Sequence, residues 1–333
     1  MKVLVAGGAG FIGSAYVRHR LSTDAEGSVR VLDKLTYAGR RENLSDLPEG
    51  RCELVEGDIA DVDAVAAAIE GCDAVVNFAA ESHVDRSIHS PGEFIQTDVF
   101  GTFVLLQAAR AAGIRHVQVS TDEVYGSIES GSFTETSPLE PSSPYSASKA
   151  GGDLIVGVFH RTYGVEALIV RGSNNYGPRQ HPEKLIPLCV LNALADDPLP
   201  VYGDGRQVRN WLYVEDFAVA IDLVLERGEP GETYNVGGPD ELANVDVVKW
   251  ILELTDRDES LIEYVTDRPG HDRRYSLTSD KVRERLGWEP ATSFEEGLRG
   301  TVDWYRDNEW WWGPIRSGAY RDYYQRQYGR SLG

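Results

Sequence analysis

The sequence predicts an α/β protein: a doubly wound parallel sheet with a smaller C-terminal α/β lobe. Three observations predict it. Short apolar runs alternate with segments of helical length through the first half, the first run ends in glycines that open a helix, and the rhythm changes after Gly177-Pro178-Arg179. Lys2–Ala6 reads as the first strand and Phe11–Leu21 as the first helix. Val29–Asp33 and Cys52–Val55 are the next strands, followed by a helix over Val62–Ile69 and a strand over Ala74–Ala80. Glu93–Ala112 reads as one long apolar helix, His116–Ser120 as the fifth strand, Pro144–Tyr163 as another long helix and Glu166–Arg171 as the sixth strand. Beyond Arg179, Leu199–Tyr202, Trp211–Val214 and Thr233–Val236 read as short strands, and Val245–Thr255 and Phe294–Asn308 as helices.

Length and composition bound the function. A chain of 333 residues buries roughly three-quarters of its unfolded surface and needs no staple. Cys52, Cys72 and Cys189 are scattered without metal-ligand spacing, and Cys72 and Cys189 read as small buried hydrophobes. A net charge of −20 argues against nucleic acid as a partner, since phosphate binding needs a basic face. The basic residues are mostly arginine and lysine is rare, a bias that either a high-salt cytoplasm or genome composition produces. No apolar run approaches membrane-spanning length, and Met1–Ala6 leads directly into the glycine loop with no room for a signal peptide. The expectation is a cytoplasmic protein with no membrane partner.

Gly7-Gly8-Ala9-Gly10-Phe11-Ile12-Gly13 follows a strand and opens a helix, as a dinucleotide-binding, Rossmann-type turn requires. Glycines allow the tight turn and let backbone N–H groups approach a pyrophosphate at the helix N-terminus. Asp33, at the end of the second strand, suits the ribose hydroxyls and repels a 2′-phosphate, so NAD is expected rather than NADP, although Arg40 and Arg41 lie nearby. Asp58 and Ile59 suit an adenine contact, and Phe78, Ala79 and Ala80 the wall beside the cofactor. Residues 1–175 are expected to form the NAD-binding domain with the catalytic residues. Residues 176–333 would be mainly the substrate lobe, with part of that chain able to return to the first domain.

The candidate chemistry lies where the fifth strand ends. Thr121-Asp122-Glu123 places a hydroxyl and two carboxyls at the carboxyl end of a parallel strand, where such sheets bind ligands. Two adjacent carboxyls in a confined site resist ionising together, so one should stay protonated near neutral pH and the pair can supply one acid and one base. Tyr145 and Lys149 lie one helical turn apart and can meet on one ligand. A nearby lysine and a cationic nicotinamide ring would lower the phenol's pKa.

These motifs, with Ala80-Glu81-Ser82-His83-Val84-Asp85-Arg86-Ser87 and Val124-Tyr125-Gly126, resemble the extended short-chain dehydrogenase/reductase family. Within it they are most similar to the nucleotide-sugar 4,6-dehydratases that act on dTDP-glucose, and the likeness runs nearly end to end. The resemblance implies that Tyr145 takes the 4-hydroxyl proton while hydride passes to NAD, and that Thr121 holds that hydroxyl. It further implies that Glu123 removes the C5 proton, Asp122 protonates the leaving C6 hydroxyl, and hydride returns to C6. On the cofactor it places Phe11, Ile12, Lys34, Leu35, Thr36, Ser82, Thr97 and Asn175 beside the residues above. On the sugar nucleotide it places Ser82, Asn174, Lys184, Leu185, Pro200, Tyr202, Arg209, Asn244, Arg268 and His271, with the arginines suited to a diphosphate.

The chain departs from the family's pattern at Asp98, where asparagine is frequent, and at Asn210, where an acid is common. Related enzymes remain alternatives: a UDP-glucose 4,6-dehydratase, a UDP-glucuronate decarboxylase, which needs no acid at Asp122, and a 4-epimerase, which needs neither carboxyl. A non-catalytic NAD-binding sensor is the alternative of a different class. No metal is expected, because His83 and His271 lack clustered ligand spacing. The helices over Glu93–Ala112 and Pro144–Tyr163 are expected to pair across a two-fold axis as a homodimer, with a tetramer left open. The tail, with Trp310-Trp311-Trp312, Tyr320, Tyr323, Tyr324 and Tyr328, is too aromatic for a linker and is expected to pack on the body or at a subunit contact.

Overall fold

The computed structural model describes residues 1–267, 270–317 and 324–325. Along the chain, β1 (Lys2–Ala6) leads into α1 (Phe11–Thr23), β2 (Ser28–Asp33), β3 (Cys52–Glu56), α2 (Val62–Ile69) and β4 (Ala74–Asn77). Next come α3 (Val84–His89), α4 (Pro91–Phe94), a π-helical turn at Ile95–Gly101, α5 (Thr102–Ala112) and β5 (Arg115–Thr121). They are followed by α6 (Pro144–Tyr163), β6 (Ala167–Gly172), β7 (Asn174–Tyr176), α7 (Leu185–Leu194), β8 (Leu199–Tyr202), β9 (Val208–Tyr213), α8 (Val214–Arg227) and β10 (Thr233–Val236). Then come β11 (Asp240–Ala243), α9 (Asn244–Thr255), β12 (Ile262–Val265), α10 (Asp280–Leu286), α11 (Phe294–Asp307) and α12 (Glu309–Trp312).

Seven strands form the central parallel sheet in the order β10-β6-β5-β4-β1-β2-β3. Strands covered by helices on both faces have no solvent side, which is why Leu4, Val5, Val31, Val76, Leu168 and Val170 are fully buried. The strand order turns outward from β1 in both directions, so a crevice opens at the carboxyl ends of β1 and β4. Two smaller sheets, β11-β9-β7 and β12-β8, surround a second core that includes Tyr176, Val190, Trp211, Ile251 and Phe294.

Several elements differ from the expectation. Ala74–Ala80 is a strand only to Asn77, because Asn77 accepts the Ala79 N–H at 3.0 Å and donates to Gln118 Oε1 at 3.0 Å, turning Phe78–Ala80 aside. The helix expected over Glu93–Ala112 runs without interruption but passes through the π-helical turn, within which Asp98 points back to accept the Glu81 N–H. Strand β9 begins at Val208 and stops at Tyr213, and Val214 opens α8, a helix with no expected counterpart. On α8, Asp222 accepts from the Tyr16 hydroxyl at 3.1 Å and from Arg20 at 3.1 Å, which ties it to α1 over the central sheet. Strand β10 pairs with β6, so this part of the C-terminal half completes the first layer.

Behind the crevice, Arg171 of β6 donates to Asp153 of α6 at 2.8 Å, and both residues are buried. Removing one partner of such a pair leaves an uncompensated charge. Asp153→Ala is therefore expected to cost about 3–5 kcal/mol of folding free energy, read as a fall in the urea midpoint. A change below about 1 kcal/mol would show that the pair behaves like a surface bridge.

Candidate active site

The glycine turn is fixed by backbone contacts. Gly7 has φ +73°, and a Cβ there would lie 2.5 Å from the Ala79 nitrogen. A Cβ on Gly13 would overlap the Gly7 carbonyl oxygen and stand 2.8 Å from the Gly8 Cα. Gly10 caps the N-terminus of α1, leaving the first N–H groups of that helix facing the crevice.

One cavity is lined by Gly7, Gly10, Phe11, Ile12, Gly13, Asp33, Lys34, Thr36, Asp58, Ile59, Phe78, Ala79, Ala80, Ser82, Thr97 and Asn175. Its other wall carries Thr121, Asp122, Glu123, Tyr145, Lys149, Asn174 and Lys184. A glycine cradle, a helix N-terminus and an acid at the end of β2 in one crevice fit a dinucleotide. Asn174 and Asn175 each leave a buried side-chain oxygen without a protein partner there, as surfaces shaped for a polar ligand do.

Asp33 is oriented by two backbone donors, Ala9 N–H to one oxygen and Leu35 N–H to the other, each at 2.9 Å. Burial raises its pKa against these hydrogen bonds. Leu35 itself is not among the lining residues. Arg40 donates to the Trp311 carbonyl at 2.6 Å and pairs with Glu42 at 3.3 Å, while Arg41 pairs with Glu56 at 2.6 Å. Both guanidiniums are thus committed to partners other than a ribose phosphate. Trp311 also donates to Asn43 Oδ1 at 2.7 Å, and Asn43 donates to the Ala9 carbonyl at 2.7 Å, so the C-terminal segment braces the glycine loop. Trp311 and Tyr324 are buried, whereas Tyr320, Tyr323 and Tyr328 lie outside the described residues.

Strand β5 delivers the acid pair. Thr121 caps a 3₁₀ turn at Asp122–Tyr125 by accepting the Glu123 N–H at 3.3 Å, and its hydroxyl donates to Asp122 at 3.3 Å. Asp122 is 1% exposed and one of its oxygens has no protein partner. Burial, then the Glu123 charge, pushes its carboxyl up to about 8, with Arg209 opposing. Burial and the neighbouring Glu123 charge therefore bias Asp122 towards its neutral form.

The protein's own groups push the Tyr145 phenol upward. Its pKa lies well above the ordinary value, first because the phenol is buried and then because of Glu123 and Asp98. The Lys149 ammonium donates to the Val119 carbonyl at 2.8 Å. The protein alone thus holds the phenol protonated.

Leu185, Pro200, Tyr202, Arg209, Asn244 and His271 are not among the lining residues of this cavity. Arg209 is nevertheless close enough to act on Asp122, and it is 4% exposed, stacked 4.2 Å over Tyr275, and donating to the Val208 and Asp272 carbonyls. Tyr202 meets His271 edge-on at 6.0 Å and donates to Asp85 at 3.0 Å, while His271 contacts Asp267 at 2.6 Å. Asn244 leaves its side-chain oxygen buried without a protein partner. Asn210, the second departure, donates to the Gly238 and Asp240 carbonyls. Arg268 lies outside the described residues.

A family model described as GDP-mannose 4,6 dehydratase matches residues 4–301. A dTDP-glucose 4,6-dehydratase of Xanthomonas campestris pv. campestris is 52% identical over 344 residues, covering 96% of this chain and 97% of its own. The chain belongs to the dTDP-glucose 4,6-dehydratase family. The dTDP-glucose 4,6-dehydratase 1 of Escherichia coli K12 is 48% identical over 358 residues, covering 98% and 99% of the two chains. The crystal structure of DesIV, a dTDP-glucose 4,6-dehydratase from Streptomyces venezuelae with NAD and TYD bound, superposes with a TM-score of 0.92. It is 52% identical and covers 95% of this chain and 100% of that one. NAD is accordingly the cofactor of this family's fold, in accord with Asp33 and the committed Arg40 and Arg41.

Sequence reasoning missed several lining residues of this 4,6-dehydratase site, among them Gly57, Ser173 and Gln180. Glu81 and Glu183 sit in segments that carried a signal, next to Ser82 and Lys184. Glu183 is buried and paired with Arg86 at 3.1 Å, and its pKa falls to about 2 because the nearby His83, His181, Lys184 and Arg86 outweigh burial. His83 and His181 are pushed down to about 4, chiefly by burial. Ser173 and Gln180 lie in loops with no periodic signal.

Proposed function

We propose that this chain converts dTDP-glucose to dTDP-4-keto-6-deoxyglucose and water in a redox-neutral, NAD-dependent cycle. The observation that carries the reading is a buried carboxyl at Asp122, one oxygen of which has no protein partner, next to Glu123 in the same cavity as Tyr145, Lys149 and the glycine cradle. An oxidoreductase without elimination has no need of that pair.

NAD, when bound, takes the C4 hydrogen as hydride and later returns it to C6, and its cationic ring offsets the burial that keeps Tyr145 protonated. Tyr145 accepts the 4-hydroxyl proton while Thr121 holds that oxygen. The resulting 4-ketone acidifies the C5 proton, which Glu123 removes as Asp122 donates a proton to the departing 6-hydroxyl. Glu123 then returns its proton to C5. The proton gained by Tyr145 and the one given up by Asp122 exchange through solvent, so one water leaves and no net oxidation remains.

In the same reading, residues 1–175 carry the cofactor and the reacting groups, and residues 176–333 mainly hold the nucleoside diphosphate. Asn174, Lys184, Arg209, Asn244, Arg268 and His271 hold the charged and polar parts, with Leu185, Pro200 and Tyr202 against the base. Exposed Ile95 and Phe100 on the π-helical turn, with Leu154 and Val158 on α6, favour a homodimer through that face, which light scattering measures. No helix of the described residues is long and apolar enough to cross a membrane, and a cytoplasmic location accords with that.

Incubation of the purified protein with dTDP-glucose is expected to yield the base-stable absorbance of a 4-keto sugar, with slower turnover of UDP-glucose. NAD-loaded protein that returns dTDP-glucose unchanged, or only its C4 epimer, would refute the assignment.

A further inference from the structure

The chemistry proposed above makes no use of Asp98, although it is 1% exposed and adjoins the reacting groups. One of its carboxylate oxygens accepts the Glu81 N–H at 3.1 Å, and the other accepts the Ser148 hydroxyl at 2.6 Å. Ser148 lies on α6 between Tyr145 and Lys149, and its hydroxyl also reaches the Tyr145 carbonyl at 2.8 Å. The backbone is equally fixed: Thr102 donates to the Asp98 carbonyl at 2.7 Å, and a Cβ on Gly152 would come within 2.7 Å of that carbonyl. The π-helical turn and α6 are therefore locked together with a carboxyl group between the cofactor wall and the catalytic helix.

We propose that Asp98 is a positioning residue for C4 oxidation, whose carboxylate opposes Lys149 and thereby sets how readily Tyr145 gives up its proton. The proposal rests on the reading of Tyr145 as the base. The charges facing the site are few. Lys149 attracts the Asp98 carboxylate from α6, Glu81 and Glu93 add negative charge from the cofactor wall and α4, and Arg86 and Lys34 offset Glu81. Asp98 in turn raises the pKa of the Tyr145 phenol, as Glu123 and Asp122 do. Burial holds the Asp98 carboxyl up at about 6 against Lys149 and its two hydrogen bonds. As pH falls through that range the carboxylate is neutralised, its repulsion of a tyrosinate disappears, and the loss of the base is partly compensated. The acid limb of C4 oxidation is broadened as a result.

The test is Asp98→Asn. An amide keeps the shape, accepts the Glu81 N–H and donates to the Ser148 oxygen, but carries no charge. Single-turnover formation of reduced nicotinamide from dTDP-glucose, followed against pH, is expected to show a steeper acid limb displaced to lower pH by roughly 0.5–1 unit. Ser148→Ala removes a hydrogen bond and leaves the charge, so its limb should stay within about 0.2 unit of the parent's. A limb unmoved in Asp98→Asn, or moved as far by Ser148→Ala, overturns the proposal. Tyr145→Phe separates the two levels, because it should reduce this step at least about a hundredfold. If it does not, the base assignment fails and Asp98 with it. If it does while Asp98→Asn leaves the limb in place, only the role of Asp98 is lost.

Discussion

Asp122→Asn should stall the reaction after C4 oxidation, with reduced nicotinamide accumulating on the enzyme and little 4-keto-6-deoxy product. An amide fills the same buried volume and can still accept from the Thr121 hydroxyl, but it cannot donate an acidic proton to a leaving hydroxyl. Removing one general acid typically costs 10²- to 10⁴-fold, so dehydration should fall by about that much while C4 oxidation changes less than roughly tenfold. Glu123→Gln should show the same asymmetry through loss of the C5 base. The sign of the pH dependence follows from Asp122. Its pKa is raised to about 8, so the acid form is present below that value and disappears above it. Dehydration in the parent protein should decline through pH 8, and Asp122→Asn should lack that limb. Stopped-flow traces of the nicotinamide with product analysis of the same samples measure both steps. Equal losses in the two steps would contradict the division of roles.

Gly13→Ala should abolish cofactor retention. The added methyl would overlap the Gly7 carbonyl and press on the Gly8 Cα, and neither is a flexible side-chain end. The turn must open, which moves the N–H groups of α1 away from the pyrophosphate. We expect protein purified with little NAD, an affinity weakened by at least about a hundredfold, and roughly 1–3 kcal/mol of lost stability from the overpacked turn. Stoichiometric NAD in the purified variant would mean that the loop tolerates the methyl and that retention depends on other contacts.

Much of this was legible in the residues. Parallel strands buried on both faces read as apolar runs, so β1, β2, β5 and β6 could be placed within a residue or two. The acid pair announced itself by following one of those runs. Which acid is biased towards its neutral form was not legible, because burial beside Glu123 and the opposing Arg209 of a distant strand decide it. The direction of the Tyr145 shift was hidden for a similar reason: Tyr145–Lys149 spacing is local, while the carboxylates and burial that dominate it are not. The π-helical turn keeps a helix-like apolar pattern, and only contacts to Glu81 and Ser148 reveal the change of register. Helix α8 escaped notice because its acids Asp222 and Glu226 look solvent-facing in sequence, yet they pair with Arg20 at 3.1 and 2.6 Å, some two hundred positions earlier.

The brace from Trp311 through Asn43 to the Ala9 carbonyl joins segments far apart in the chain. The tryptophan that steadies the glycine loop is made 268 positions after Asn43, and β10, which closes one edge of the sheet, is the last of its seven strands to be made. A nascent chain therefore carries an unbraced nucleotide cradle until Trp311 has been added.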